Sequence, residues 1–83
     1  MALLRLPHVL RLSGYSRSML YSLISSGLYP KPVKIGERAV AWPSYEVEQM
    51  SQAIISNKTR EQRRELVSSL EAKRESLEAK IVT

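Results

Sequence analysis

The fold is decided at residues 16–38, which read SRSMLYSLISSGLYPKPVKIGER. Ser16 is a favourable helix N-cap, because its side-chain oxygen can accept a hydrogen bond from a backbone N–H of the first turn. Leu20, Leu23 and Ile24 then follow at the spacing of one helical face. This part of the stretch therefore predicts a short amphipathic helix whose other face carries arginine, serine and tyrosine.

The second part of the stretch predicts a hairpin. Gly27 suits the position after a helix, and Pro30 prevents the helix from continuing. Apolar and polar residues then alternate over residues 33–35, small and larger apolar residues alternate over residues 39–42, and a glycine-containing turn lies between them. A basic hairpin that follows a polar, cation-bearing helix is the local arrangement of a winged helix-turn-helix.

Upstream residues supply the first helix of this motif. Leu6, Val9 and Leu10 have helical spacing, and Pro7 suits a first helical turn. Gly14 is free to adopt a positive φ and separates this helix from the next one. We therefore expect a mainly α fold with a small β-hairpin, namely a winged helix-turn-helix with a C-terminal helical tail.

A third helix is expected after Pro43, with Ser44 as its N-cap. Val47, Met50 and Ile54 would supply its apolar stripe. Asn57 marks a break after this helix. The sequence therefore predicts a winged helix-turn-helix domain over residues 1–57.

The remaining residues, 58–83, predict a charged helical tail. Residues 59–62 have the spacing of a capping box, and good helix formers follow them. Leu66, Leu70 and Leu77 lie on a heptad track, but Lys73 and Lys80 interrupt it. We expect this tail either to be frayed in the monomer or to join two copies.

The charge of the chain is concentrated in its first half. The net charge of the 83 residues is +5; residues 1–42 carry six basic residues and one acid, whereas residues 43–83 carry seven of each. This asymmetry indicates a surface that binds a polyanion, here double-stranded DNA. The chain has no cysteine and no apolar run long enough to span a bilayer. We therefore expect a cytoplasmic protein that does not bind membranes.

Eight residues are candidates for contact with DNA. The polar face of the second helix presents one arginine near its N-terminus, together with hydroxyl groups suited to phosphates or bases. The hairpin and the loop before it add cations that would meet phosphates or enter the minor groove. The candidates are Arg17, Ser18, Tyr21, Ser22, Ser25, Lys31, Lys34 and Arg38.

Catalysis and cofactor binding are not expected. The chain has no aspartate and one histidine, His8, so it cannot form a Ser-His-Asp triad. Its three glycines stand far apart and form no phosphate-binding loop. The sequence therefore predicts a protein that is not an enzyme and that needs no metal or cofactor.

Residues 5–50 resemble the AlpA family of phage-type transcriptional regulators, which are small relatives of the excisionase and MerR winged-helix folds. The matching text is RLPHVL at residues 5–10, GYSRSMLY at residues 14–21 and GLYPKPVKIGERAVAWP at residues 27–43. The resemblance implies sequence-specific DNA binding and control of a prophage or mobile-element gene. Met50 departs from it, since the family usually carries a tryptophan there.

Two alternative functions are compatible with the same sequence. An excisionase-like architectural factor would bend DNA for site-specific recombination with the same surface. A protein-interaction module would instead act through the C-terminal helix, and its basic first half would be incidental. For the DNA-binding functions we expect more than one copy on the DNA, because one short helix covers only a few base pairs. The copies would be joined by the tail or would touch only on DNA.

Overall fold

Four helices and a small sheet make up the fold. The computed structural model describes residues 2–82, with side chains described for residues 2–75. In chain order the elements are β1 (Leu3–Arg5), α1 (Leu6–Ser13), α2 (Arg17–Ser25), β2 (Val33–Lys34), β3 (Val40–Pro43), α3 (Ser44–Ile55) and α4 (Arg60–Val82). The predicted winged helix-turn-helix is confirmed: α1 and α2 form the helix-turn-helix, and β2 and β3 form the wing.

Local signals in the sequence place the helix boundaries. Gly14 adopts φ 77° and ends α1, and the Ser16 side chain accepts a 3.2 Å hydrogen bond from the backbone N–H of Met19 at the start of α2. Gly27 adopts φ 74° after α2. Before α4, Thr59 and Gln62 exchange two hydrogen bonds of 2.9 and 3.1 Å, which is the predicted capping box.

The sheet has one strand more than the hairpin expected from the sequence. Its order is β1-β3-β2, and both pairings are antiparallel. Ala41 in the central strand pairs with Arg5 on one side and with Val33 on the other. The sheet therefore holds the N-terminal segment against the wing, and it brings Arg5 close to the hairpin.

Ser44 does not cap α3, contrary to the expectation from the sequence. Pro43 occupies the N-cap position without a side-chain hydrogen bond, and Ser44 is already the first helical residue. The Ser44 backbone N–H donates to the Ala2 carbonyl at 2.8 Å, and its hydroxyl accepts from the Ala2 N–H at 3.2 Å. These two hydrogen bonds hold Ala2, the residue before β1, at the start of α3, although Ala2 and Ser44 lie 42 positions apart in the chain.

The hydrophobic core lies between the sheet and the helices. Trp42 is completely buried, and its indole N–H donates a 2.9 Å hydrogen bond to the Pro30 carbonyl. This bond ties the loop after α2 to the central strand. The other buried members of the core are Val9, Leu20, Tyr29, Val47, Met50, Val67 and Leu70.

The apolar stripe of α3 differs from the predicted one at its last position. Val47 and Met50 are buried as expected, but Ile54 is 37% exposed and Ala53 is buried in its place. Glu46 and Ala53 are seven residues apart, which is two helical turns, so both lie on the buried face of α3. The inward-facing residues of α3 are therefore Glu46, Val47, Met50 and Ala53.

The first half of α4 packs against the same core. Val67 and Leu70 are buried, Leu66 is partly buried, and Arg74 forms an ion pair with Glu46 of α3. The side chains of Leu77 and Lys80, which belong to the predicted heptad track, lie outside the described residues. Whether residues 1–57 fold without α4 stays a prediction.

Candidate nucleic-acid interface

The outward face of α2 is polar because the opposite face is anchored in the core. Leu20 is fully buried, and Leu23 and Ile24 pack against the core cluster. The exposed positions of α2 therefore carry side chains that can bond to phosphates and base edges. The exposed candidates on this helix are Arg17, Ser18, Tyr21, Ser22 and Ser25.

Met19 is the exception to the apolar pattern of α2. Met19 is the neighbour of the buried Leu20 in the chain, but its own side chain is 50% exposed. Its backbone N–H donates to the Ser16 side chain, so Met19 lies in the first turn of α2. An exposed methionine beside the serines adds apolar area to an otherwise polar face.

The wing presents two of the predicted cations. Lys34 lies in β2 opposite Val40, and Arg38 lies in the turn between the strands. Beyond the paired residues, the Ile35 N–H donates to the Ala39 carbonyl at 2.9 Å and closes the hairpin. Both cationic side chains are exposed, as a contact with DNA phosphates requires.

Three arginines from three different elements line one groove. The groove has a volume of about 310 Å³ and lies between the N-terminal ends of α1 and α2 and the wing. Arg5, Arg17 and Arg38 contribute its positive charge, and Tyr21 adds a hydroxyl group. Leu6, Pro7 and Val40 complete the lining, so no carboxylate among the described residues lines the groove. Such a site favours an anion with several oxygen atoms.

The structure brings three of the eight predicted residues together in this groove, namely Arg17, Tyr21 and Arg38. Ser18, Ser22 and Ser25 extend the exposed face of α2 away from it, and Lys34 lies further along the wing.

Lys31 is separate from the groove, because its backbone is attached to α4. Its N–H donates to a Glu71 carboxylate oxygen at 2.9 Å, and its carbonyl accepts from Arg74 at 2.8 Å. Its side chain is exposed.

Arg5 is the groove residue that the sequence did not single out. It was counted in the basic half of the chain, but the three residues of β1 are too few to show the alternation that predicts a strand. Its pairing with Ala41 decides its position, and this contact joins residues 36 positions apart in the chain. The uneven charge distribution was the signal available, and it identified the region but not the residue.

The residues that the structure describes form no cluster suited to a metal ion, since no three side chains of the metal-ligating type come together among them. Over the same residues, none of the helices combines the length and apolar character needed to cross a bilayer.

Comparisons with known proteins agree with the geometry. The chain is 48% identical over 44 residues to the uncharacterized protein ORF88 of Enterobacteria phage P4, an alignment that covers 53% of the chain and 50% of that protein. The chain thus spans about half the length of this relative. No solved structure matches the chain significantly. The family model described as "Prophage CP4-57 regulatory protein (AlpA)" matches residues 2–54, which include β1, the helix-turn-helix and the wing. Since this match covers more than half of the sequence, the chain belongs to the AlpA family of prophage regulatory proteins.

Proposed function

We propose that this chain regulates a prophage or mobile-element gene by binding a specific sequence of double-stranded DNA. The observation that carries the proposal is the groove in which Arg5, Arg17 and Arg38 meet at the N-terminal end of the exposed α2 face. Membership of a family of prophage regulatory proteins supports a regulatory role.

In this proposal α2 enters the major groove of the DNA. Arg17 lies in its first turn, where a guanidinium can bond guanine O6 and N7 together. Ser18, Ser22 and Tyr21 would add contacts to bases or to the sugar–phosphate backbone. Specificity would therefore come from α2, with Arg17 as its principal residue.

The wing supplies affinity that does not depend on sequence. Arg38 and Lys34 would contact phosphates beside the major groove, and Arg5 would add a third cation from β1. Lys31, which lies apart from the groove, would make a weaker contribution. These contacts release counterions, so binding would weaken steeply as the salt concentration rises.

The test is a binding titration on a duplex selected from a random pool by the full chain, with a scrambled duplex as the comparison. We expect Arg17→Ala to weaken binding to the selected duplex by about 1–3 kcal/mol and to change binding to the scrambled duplex much less. Arg38→Ala should weaken binding to both duplexes alike and lower the salt slope by about one phosphate contact.

Lys73→Ala is the control, because it removes one positive charge from an exposed position of α4. It should leave the salt slope unchanged. Equal losses on the two duplexes for Arg17→Ala would contradict the role given to α2. Selection of no preferred sequence, together with salt-independent binding, would contradict the proposed function as a whole.

A further inference from the structure

We infer that Arg64 of α4 forms a second phosphate-binding point, at the opposite end of α2 from the three-arginine groove. This inference rests on the proposed function and extends the interface beyond residues 2–54, the part of the chain that matches the family model. The ligand is the phosphodiester backbone of the same DNA duplex.

The position of Arg64 is set by a hydrogen bond to the end of α2. Its Nε–H donates to the carbonyl of Ser26 at 3.2 Å, and Ser26 is the C-cap of α2. The Ser26 hydroxyl in turn donates to the Ser22 carbonyl at 3.1 Å, so this contact lies directly beside the exposed face. Within the described part of the chain, the terminal nitrogens of Arg64 bond to no other group, which leaves them available to a phosphate.

The C-terminal end of α2 needs such a cation if DNA is to approach it. The last carbonyl groups of a helix carry partial negative charge, which repels phosphates. The last turn of α2 contains no basic residue. Arg64 supplies the missing positive charge from another element and places it at the carbonyl of Ser26.

The length of α2 also allows phosphate contacts at both of its ends. Nine residues of α-helix span about 13.5 Å, close to the width of about 12 Å of the major groove of B-DNA. A helix that lies across the groove therefore has a phosphate strand near each end. Arg5 and Arg38 would meet one strand while Arg17 reads the bases between the strands, and Arg64 would meet the other strand.

The rest of α4 holds Arg64 in place and limits the size of this contact. Val67 and Leu70 are buried in the core, Glu71 accepts the Lys31 N–H, and Arg74 pairs with Glu46. Arg60 precedes Arg64 by four residues and shares its face of the helix, whereas Glu71 and Glu75 follow on that face two and three turns later. The contact is therefore confined to the first turns of α4.

The experiment compares Arg64→Gln, Arg64→Lys and Lys73→Ala in the full chain, with binding to selected and scrambled duplexes measured at several salt concentrations. Glutamine can still donate to the Ser26 carbonyl but carries no charge, whereas lysine keeps the charge. Lys73 is the matched control, because helical spacing places it on the edge of α4 opposite Arg64. Thermal unfolding of each variant shows whether its fold is retained.

We expect Arg64→Gln to weaken binding to both duplexes roughly three- to tenfold and to lower the salt slope by about 0.9. Arg64→Lys and Lys73→Ala should keep the slope of the wild-type chain. A loss of affinity with an unchanged slope would show that Arg64 only positions α2, and an equal effect of Lys73→Ala would show a dependence on net charge. Either result would overturn this inference while leaving the proposed function intact, since the wild-type chain would still bind its selected duplex.

Discussion

Tyr29 is a core residue with an unusual polar group. Its side chain is 2% exposed, and its ring packs edge-on against Tyr15 with 6.3 Å between the ring centroids. Its hydroxyl is buried, and among the described residues it has no hydrogen-bond partner. Burial, with smaller contributions from the nearby Tyr15 and Glu46, raises the pKa of Tyr29 to about 12 from its usual 10.0.

This pKa predicts a loss of stability in alkali. The folded state holds the phenolic proton more tightly than the unfolded state, so the stabilisation is complete below pH 10 and is lost as the pH rises toward 12. The free energy of unfolding should fall by about 2–3 kcal/mol over this range. About half of this fall should be reached at pH 11. We expect Tyr29→Phe to remove most of it, measured by urea unfolding at pH 8 and pH 11.

The same variant should be close to neutral at pH 8. Replacing a buried hydroxyl that has no partner removes a desolvation cost and no hydrogen bond. Tyr21→Phe, which changes an exposed tyrosine, is the control and should leave the alkaline fall intact. If the free energy of unfolding of the Tyr29→Phe variant falls between pH 10 and pH 12 as much as that of the wild-type chain, another group is responsible.

Single residues were predictable where their role is local. Ser16 caps α2 and Gly14 ends α1 because both roles depend on neighbours within four positions. Ser44 has the same sequence signal as Ser16, but it bonds to Ala2 instead. The N-cap signal at Ser44 is therefore not realised, because its hydroxyl accepts from Ala2, the residue that precedes β1.

At the scale of elements, one buried ion pair joins α3 to α4. Glu46 is completely buried, and both of its carboxylate oxygens accept from Arg74, at 2.6 and 2.8 Å. These hydrogen bonds are the main reason that the pKa of Arg74 is raised. Arg74 also donates to the Lys31 carbonyl, so the pair fixes the loop that leads from α2 to the wing.

Removing one partner of this pair should be costly. In Arg74→Met the carboxylate of Glu46 stays buried without its cation, which typically costs about 3–5 kcal/mol. The double variant Glu46→Leu/Arg74→Met leaves no buried charge and should recover most of the loss. The measurement is the free energy of unfolding of both single variants and the double variant. Additive effects of the two substitutions would show that the pair is not coupled.

Elements were predictable to the extent that they carry their own signals. The helices α1 and α2, the wing and the capping box before α4 all have short-range sequence patterns, and the structure contains them. The strand β1 and the packing of α4 depend on contacts between distant residues, such as Leu3 with Pro43 and Glu46 with Arg74. A pattern of helix formers shows that α4 is a helix, but it does not show what the helix packs against.

At the scale of the whole molecule, α4 completes the core. A chain that ends at Asn57 would lack the buried side chains of Val67 and Leu70, each worth about 1.5–3 kcal/mol, and would leave Glu46 without Arg74. Together these losses exceed the free energy of unfolding of a marginally stable domain, which is about 5 kcal/mol. We therefore expect this truncation to abolish the cooperative thermal transition, although the sequence predicts residues 1–57 as a domain and residues 58–83 as a tail.

A second truncation after Glu75 serves as the control, because it keeps every contact described above. It should retain a cooperative transition close to that of the full chain in circular dichroism. If instead the chain ending at Asn57 melts within a few degrees of the full chain, residues 1–57 form an independent domain as the sequence suggested.

The packing of α4 also bears on how many copies bind DNA. Leu66 and Leu70 contact the core of their own chain, so these two residues of the predicted leucine stripe are not available to join two copies. The same packing weakens the alternative of an interaction module that acts through this helix. One nine-residue helix reads only a few base pairs, and selecting a site in a genome requires more specificity than that.

We therefore expect the free chain to be a monomer and two copies to bind an operator that carries repeated half-sites, with the second copy favoured by its high effective concentration beside the first. Sedimentation velocity of the free chain, of its complex with the full operator and of its complex with a single half-site distinguishes the cases. The half-site should bind one copy and the full operator two. A dimer of the free chain would show that the two copies pair through protein contacts without DNA. A one-to-one complex on the full operator would mean that a single copy supplies all of the specificity.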